Sequence, residues 1–214
     1  MKNQLIELVN NCSIELEKGV FPESIAKQLN LYLKEWKKWN SKINLTAECN
    51  ELLIINKHIF ESLQYARAIL TAGSLIDIGS GAGFPGIPIK VVRPNLEVVL
   101  IESQRKRANF LKTVINSIGL SKIECIHGRL EDCSQFLGEY NYVTLRHVLE
   151  PNLSLRLGAT LVKPDGRLIL QTSCDNSFEP DFLNTLYLSL ADEIVFKRSD
   201  RSFSKVLVFK REPR

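Results

Sequence analysis

The chain has 214 residues, of which 44% are hydrophobic and 24% are charged, and its formal net charge at pH 7 is +4. These values exclude a disordered, collagen-like or coiled-coil protein and are typical of one large domain, or of one domain with a smaller appendage. The five cysteines are odd in number and none has a C-x-x-C spacing, which argues against a disulfide framework or a zinc ribbon. The sequence contains neither an apolar signal core nor a run approaching the roughly 20 apolar residues that span a bilayer, so we expect a cytoplasmic protein without a membrane segment.

Residues 1–70 are predicted to form an N-terminal helical cap. Apolar side chains recur at helical spacing over Leu5–Leu16, Gly19 is predicted to end that helix, and Pro22 suits the first turn of a second helix. A third helical stretch is predicted over 51–70.

Residues 71–214 alternate short apolar runs with helix-length segments, which predicts βαβ units and a parallel sheet. The last two runs are joined by the short polar stretch Arg198–Ser204, which permits only an antiparallel pair. The prediction is therefore an α/β fold whose doubly wound, seven-stranded sheet has an antiparallel end. The predicted strands are Ser74–Ile78, Glu97–Ile101, Ile123–Ile126, Tyr142–Leu145, Arg167–Gln171, Glu193–Phe196 and Lys205–Phe209.

The segment Asp77–Pro88 reads DIGSGAGFPGIP and includes the end of the first predicted strand. Glycines such as Gly79 and Gly81 at the carboxyl end of a strand let the backbone turn sharply and approach a ligand. The dinucleotide fingerprint G-x-G-x-x-G requires glycine at position 84, which here is Phe84, so the spacing argues against NAD. Asp77 would repel a pyrophosphate, but it could accept a hydrogen bond from an ammonium or hydroxyl group, or cap the following turn.

Acidic residues near the ends of the next two strands complete a candidate cofactor site. Glu102 lies 23 residues after Gly79, close to the ~20 expected of a carboxylate that binds ribose hydroxyls, although it could instead pair with Arg105. Glu131 follows the third strand, where residues could frame an adenine ring or begin a helix. A ribose, an adenine and an amino-acid cation together describe S-adenosylmethionine (SAM).

Six segments of the chain are similar to one known family: Trp39–Thr46, Lys57–Leu63, Asp77–Pro88, Glu102–Leu111, Gly128–Glu131 and Thr144–Arg146. The continuation Phe84–Pro88 is much rarer than G-x-G-x-G alone. Together the segments resemble the RsmG family, also called GidB (glucose-inhibited division protein B). These are bacterial methyltransferases that act on guanine N7 of small-subunit ribosomal RNA.

The resemblance implies a Rossmann-like class I SAM-dependent methyltransferase that acts on 16S ribosomal RNA or the small ribosomal subunit. It implies cofactor contacts at Gly79, Phe84, Leu130, Glu131 and Arg146. We add Asp77, Gly81 and Glu102 to this predicted cofactor site on the physical arguments above. We expect a monomer.

The expected reaction requires no catalytic acid or base. Guanine N7 already carries a free lone pair, so no proton must leave before it attacks the methyl group. Holding N7 in line with that group can contribute up to ~7–11 kcal/mol. We predict no metal site, because the three histidines have no metal-ligand spacing. No cysteine adjoins a proline, and no Asn/Asp-Pro-Pro-aromatic motif follows the fourth strand, so other base-methylation chemistries fit less well.

Clustered basic residues suggest a polyanion partner such as RNA, although an ordinary solvated face is the alternative. The clusters lie at 34–42, where Trp36 and Trp39 are interleaved, at 103–122 and at 197–214.

Two residues depart from the pattern of the resembled family. His147 stands where the family has alanine, and Gln171 stands where it has a lysine that we expect to face the RNA. These departures keep two alternatives open. One is a methyltransferase of the same fold with another RNA or a small-molecule target, and the other is a non-enzymatic RNA-binding or ribosome-assembly protein.

Overall fold

The computed structural model describes residues 1–129 and 136–213. Its strands are β1 (Ser74–Ile78), β2 (Glu97–Glu102), β3 (Ile123–His127), β4 (Tyr140–Leu145), β5 (Val162–Ser173), β6 (Leu188–Lys197) and β7 (Phe203–Arg211). They form one sheet in the order β3-β2-β1-β4-β5-β7-β6. Strand β7 runs antiparallel to β5 and β6, and the remaining pairs are parallel. The predicted seven-stranded, mostly parallel sheet with an antiparallel end is confirmed.

The helices are α1 (Lys2–Asn11), α2 (Pro22–Ile43), α3 (Glu51–Leu53), α4 (Phe60–Arg67), α5 (Gly86–Val92), α6 (Arg105–Ser117), α7 (Pro151–Leu161) and α8 (Pro180–Thr185). Helix α1 is shorter than predicted, because Ser13 adopts a left-handed backbone with φ of 51° and Leu16 packs on the core from outside the helix. The third predicted helix is interrupted by a π-helical turn at Ile54–Ile59. None of the described helices is long and apolar enough to cross a lipid bilayer.

The two faces of the sheet are covered by two apolar cores. In β1, Leu75 belongs to the core shared with the N-terminal helices, whereas Ile76 belongs to the core formed with α7. This alternation follows from the two-residue period of a strand and is what a doubly wound sheet requires. The boundary predicted near residue 70 falls between α4 and β1, and the helices before it share one apolar core with the sheet.

The N-terminal helices also contact the carboxyl ends of the central strands. Tyr32 of α2 donates its hydroxyl to the carbonyl of Ala82 at 2.7 Å. Tyr65 of α4 donates to the carbonyl of Leu145 at 2.9 Å and accepts from the amide of Gln171 at 3.0 Å, so it bridges β4 and β5. The cap therefore buttresses the edge of the sheet where ligands bind in open α/β folds.

Candidate functional site

A glycine-rich loop follows β1 at the point where the strand order reverses, between β2 and β4. Gly79, Gly81 and Gly83 have positive φ values of 66°, 57° and 95°. A Cβ atom at Gly79 would lie 2.7 Å from Cγ2 of Val148, so any larger residue there would have to displace the Val148 side chain. The loop thus depends on glycine for both its backbone conformation and its close packing.

Glu102 at the end of β2 holds this loop in place. Its Oε2 accepts a hydrogen bond from the amide of Gly81 at 2.8 Å, and its Oε1 accepts from the amide of Gln104 at 2.7 Å. The side chain is 4% exposed and forms no ion pair with Arg105 among the described contacts. Each carboxylate oxygen has a second lone pair, so ribose hydroxyls remain compatible with this geometry.

Asp77 lies fully buried beneath the loop. Its Oδ1 accepts from the Thr144 hydroxyl at 2.8 Å, and its Oδ2 accepts from the amide of Gly86 at 3.2 Å, at the first residue of α5. These contacts match the capping alternative, and direct contact with a cofactor stays a prediction. Burial outweighs the hydrogen bonds and raises the pKa of Asp77 from 3.8 to about 6.

We expect Asp77 to make the stability of the fold depend on pH. The folded state holds the Asp77 proton more tightly than the unfolded state, so this group destabilises the fold progressively as pH rises from about 4 to about 6. The Asp77→Asn variant lacks this titration. We therefore expect the free energy of unfolding of the wild type, relative to that of the variant, to fall by roughly 2–3 kcal/mol between about pH 4 and about pH 6. Urea unfolding at a series of pH values measures the difference. The exposed Asp175→Asn serves as the control, and equal pH dependence in both variants would contradict the assignment.

A cavity of about 260 Å³ lies beside the loop, at the carboxyl ends of the first four strands. It is lined by backbone at Gly79 and Gly128, by apolar side chains such as Ile101 and Val148, and by the polar residues Ser103 and Arg129. Backbone polar groups among apolar side chains suit a flat heterocycle joined to a sugar. Leu130 and Glu131, which the resemblance places at this site, lie outside the described residues.

Phe84 lies on the other side of the loop, between the cap and the end of β4. Its ring stacks on His58, with centroids 4.9 Å apart and planes inclined by 20°, and meets the edge of Tyr32 at 5.6 Å. The guanidinium carbon of Arg146 lies 5.9 Å from the ring centroid. Because Ile78 pairs with Leu145 in the sheet, Arg146 emerges beside the start of the glycine loop. The structure therefore brings the predicted residues Gly79, Phe84 and Arg146 together.

Arg146 is anchored by three protein acceptors. Its Nη2 contacts Oε2 of Glu61 at 2.5 Å and Nδ1 of His58 at 3.0 Å, and its Nε donates to Oε1 of Gln171 at 3.3 Å. A guanidinium can only donate, so Nδ1 of His58 must accept. The ring proton is therefore on Nε2, which lies 2.8 Å from Oε2 of Glu48. Burial and the Arg146 charge lower the pKa of His58, in agreement with a neutral ring.

Glu48 is presented to His58 by the segment that carries the first family-like motif. Asn40 accepts from the amide of Thr46 at 2.9 Å and donates to the carbonyl of Glu48 at 3.1 Å. Burial would raise the pKa of Glu48, but hydrogen bonds from Lys57 and His58 outweigh it and lower that pKa to about 2. The polar residues of this motif thus shape a turn that delivers a carboxylate to the site.

Our expectation for position 171 is wrong. Gln171 is 6% exposed, accepts from Arg146 and donates to the Ser204 hydroxyl at 3.2 Å, so it faces a buried polar network rather than the open end of the sheet. Trp36 is also buried and donates to the Thr46 hydroxyl at 3.2 Å, which assigns it to helix packing.

Glu61 is the central residue of this network that the sequence analysis did not identify. It is fully buried and contacts Arg146 through Oε2, while its Oε1 lies 3.0 Å from Nε of Arg198. The only sequence signal was its place within the family-like segment Lys57–Leu63. No group of three or more potential metal ligands is found in residues 1–129 and 136–213.

Comparison with known proteins identifies the chain's relatives. The family model described as rRNA small subunit methyltransferase G (GidB) matches residues 25–177. The protein of that name from Thermoanaerobacter sp. strain X514 is 36% identical over 175 residues, which cover 79% of this chain and 72% of the relative. A second, from Clostridium botulinum strain ATCC 19397, is 46% identical over 117 residues, covering 54% of this chain and 49% of the relative.

Solved structures with the same fold are more distant in sequence. TYW2 of M. jannaschii in complex with AdoMet has a TM-score of 0.57 at 17% identity and covers 72% of this chain and 74% of its own. MtNAS in complex with MTA and tNA has a TM-score of 0.57 at 17% identity, and the match covers 97% of this chain and 86% of the MtNAS chain. At these identities the likeness shows the fold alone.

Proposed function

This chain belongs to the rRNA small subunit methyltransferase G (GidB) family, and from that premise we propose that it transfers a methyl group from SAM to N7 of a guanine in 16S ribosomal RNA. The observation that carries the proposal is the glycine loop at the sheet's reversal point, closed by Glu102 and adjoining a 260 Å³ cavity. We further propose a cytoplasmic location, since the substrate is ribosomal RNA.

The described residues that we propose to hold the cofactor fit its chemistry. Glu102 offers acceptor oxygens to ribose hydroxyls, the glycine loop allows close approach of the backbone, and Phe84 offers an apolar ring. Arg146 suits the cofactor's carboxylate, because a guanidinium binds carboxylates strongly. Asp77 acts as a positioning residue, since it anchors the start of α5 beneath the loop. We keep Leu130 and Glu131 as proposed contacts.

When bound, SAM supplies an electrophilic methyl group on a sulfonium. The chain's own residues need to exclude water and align the base, because N7 attacks through a lone pair that is already free. This requirement agrees with a site in which His58, whose imidazole stacks on Phe84, has both ring nitrogens engaged by Glu48 and Arg146. We therefore assign no residue to proton transfer.

RNA would approach over the basic clusters. Helices α2 and α6 pack against each other, and the lysines of residues 34–42 and the bases at 105, 106 and 112 are exposed on them. Adjacent helices with exposed cations support a shared phosphate-binding surface.

Transfer of labelled methyl from SAM to small ribosomal subunits that lack this modification tests the reaction. We expect the label in 7-methylguanosine after nucleoside analysis, and none on subunits that already carry the modification. Label in another nucleoside would favour the same fold with a different target. SAM binding without any transfer would favour a non-enzymatic role, and binding of NADH instead of SAM would overturn the whole assignment.

A further inference from the structure

The turn between β6 and β7 lies at the same edge of the sheet as the glycine loop. Strand β7 is antiparallel to both of its neighbours, so β6 runs in the same direction as β5, β4 and β1. Strand β6 ends at Lys197, and Arg198 therefore follows the carboxyl end of its strand just as Arg146 follows the end of β4. The last basic cluster thus places Arg198 at the edge that holds the candidate site, together with Lys197 and with Arg201 of the same turn.

Arg198 and Arg146 share the carboxylate of Glu61. Nε of Arg198 lies 3.0 Å from Oε1 of Glu61, and Nη2 of Arg146 lies 2.5 Å from Oε2 of the same group. The two guanidiniums are therefore held on opposite oxygens of one buried carboxylate. Since Arg146 adjoins Phe84 and the start of the glycine loop, Arg198 is held close to the proposed site of methyl transfer.

The outer part of the Arg198 guanidinium is available to a ligand. Its side chain is 28% exposed, whereas that of Arg146 is 5% exposed. The contact with Glu61 is an ion pair at Nε that lacks the geometry of a hydrogen bond, and the two terminal nitrogens form no hydrogen bond with any residue that the structure describes. Terminal nitrogens of a guanidinium present paired N–H groups, which match the oxygens of a phosphate.

The local charge also favours an anion. Two guanidiniums share one carboxylate, so the three groups carry an excess positive charge of one. Among its neighbours, His58 is neutral, Gln171 is uncharged, and the carboxylate of Glu48 is already paired with Lys57. One further acid near Arg198 is Asp200 in the same turn, which is exposed to solvent and accepts hydrogen bonds from Ser202. A nucleotide whose base enters the site brings its phosphodiester groups to the rim, where this charge lies.

We propose that Arg198 binds a backbone phosphate beside the target guanine, and that Glu61 positions its guanidinium for that contact. This inference rests on the proposed function, because it assigns a contact to the RNA substrate of the same site. It separates the role of Arg198 from that of Arg146, whose buried guanidinium binds protein acceptors through Nε and Nη2 and is proposed to contact the cofactor rather than the RNA.

The basic cluster at 197–214 also contains Lys210, which lies at the opposite edge of the sheet from Arg198 and serves as a matched control. Lys210 pairs with Arg167 near the amino-terminal part of β5, and its ammonium lies 2.8 Å from Oδ1 of Asp165. Its side chain is exposed and carries the same charge as Arg198. Loss of either residue changes the net charge equally, so the comparison separates the effect of position from that of net charge.

The test compares Arg198→Gln, Arg198→Lys and Lys210→Gln with the wild type. Binding to small ribosomal subunits that lack the modification is measured at several salt concentrations, together with SAM affinity and thermal stability. We expect Arg198→Gln to raise the Kd for the subunit about tenfold and to reduce the slope of log affinity against log salt by about one. Arg198→Lys should show a smaller loss, because one ammonium has to serve both Glu61 and the phosphate. Lys210→Gln should stay within about twofold of the wild type.

Two outcomes would overturn the inference. One is an unchanged subunit Kd and salt slope in Arg198→Gln. The other is a loss of SAM affinity as large as the loss of subunit affinity, because that result would assign Arg198 to supporting Arg146 instead. Methyl transfer by the wild type is scored separately. If the wild type transfers no methyl group while the Arg198 effect on binding persists, the proposed reaction fails and the phosphate contact stands.

Discussion

Glu61→Gln is expected to lower the free energy of unfolding by about 3–5 kcal/mol, the usual cost of leaving a buried charge without its partner. The substitution keeps the shape of the side chain but removes the charge that Arg146 and Arg198 share. One of the two carboxylate oxygens becomes an amide that donates toward guanidiniums, which also only donate. Burial of Glu61 prevents water from replacing the lost acceptor.

Chemical unfolding with urea measures this loss, with Glu193→Gln as the control. Glu193 also pairs with a cation, Lys205 at 3.2 Å, but its side chain is 40% exposed, so we expect a change below about 1 kcal/mol. Equal losses of unfolding free energy in Glu61→Gln and Glu193→Gln would show that burial does not make the Glu61 network more important for stability than an exposed ion pair. Far-ultraviolet circular dichroism of both variants checks that each is folded before the comparison.

Glu102→Ala is expected to raise the Kd for SAM by roughly 100- to 10,000-fold. The structure adds a reason to the sequence argument, because the carboxylate holds the loop through Gly81 and the following turn through Gln104. Hydrogen bonds to a charged group contribute about 1.5–3 kcal/mol each, and the variant loses the loop contact together with the proposed ribose contact. Binding of the small ribosomal subunit should change little, because the proposed RNA contacts lie elsewhere.

Isothermal titration with SAM measures the change, and Glu97→Ala is the matched control. Glu97 is the same residue type on the same strand, but it lies exposed at the opposite end of β2. A SAM affinity in Glu102→Ala that equals that of Glu97→Ala would remove Glu102 from the cofactor site. A parallel loss of subunit binding would mean that Glu102 supports the whole edge of the sheet rather than the cofactor alone.

The strand boundaries show where the local sequence pattern is sufficient to predict the ends of a strand and where it is not. Strand β1 occupies the predicted residues Ser74–Ile78, because a short apolar run that meets glycines is bounded by signals within the run itself. Strands β5 and β6 extend beyond their predicted ranges, over Val162–Ser173 and Leu188–Lys197. Their additional residues include polar ones, which are recruited by hydrogen bonding to β7 rather than by their own hydrophobicity.

The glycine loop was predicted only in part from the sequence. The sequence predicted that Gly79 and Gly81 mark a ligand-binding turn, and their positive φ values agree with it. It left open whether Asp77 faces a ligand or caps a turn, because both roles demand a carboxylate at the same place. The structure favours the turn-capping role, because Asp77 lies buried beneath the loop and contacts Thr144 and Gly86. The sequence could not decide this, because these contacts depend on how β4 and α5 pack around Asp77.

The sequence by itself determined the class of fold, the family and the position of the glycine loop. These features follow from periodicity and from motifs whose members are neighbours in the chain. Only the tertiary structure decided that Glu61 and Arg146, 85 residues apart, share a buried charge with Arg198, and that Gln171 faces this network instead of RNA. Hydrophobic patterning specifies which face of an element is buried. It does not specify which polar groups meet there, because a buried charge is stabilised only by partners that the packing of distant elements brings within hydrogen-bonding distance.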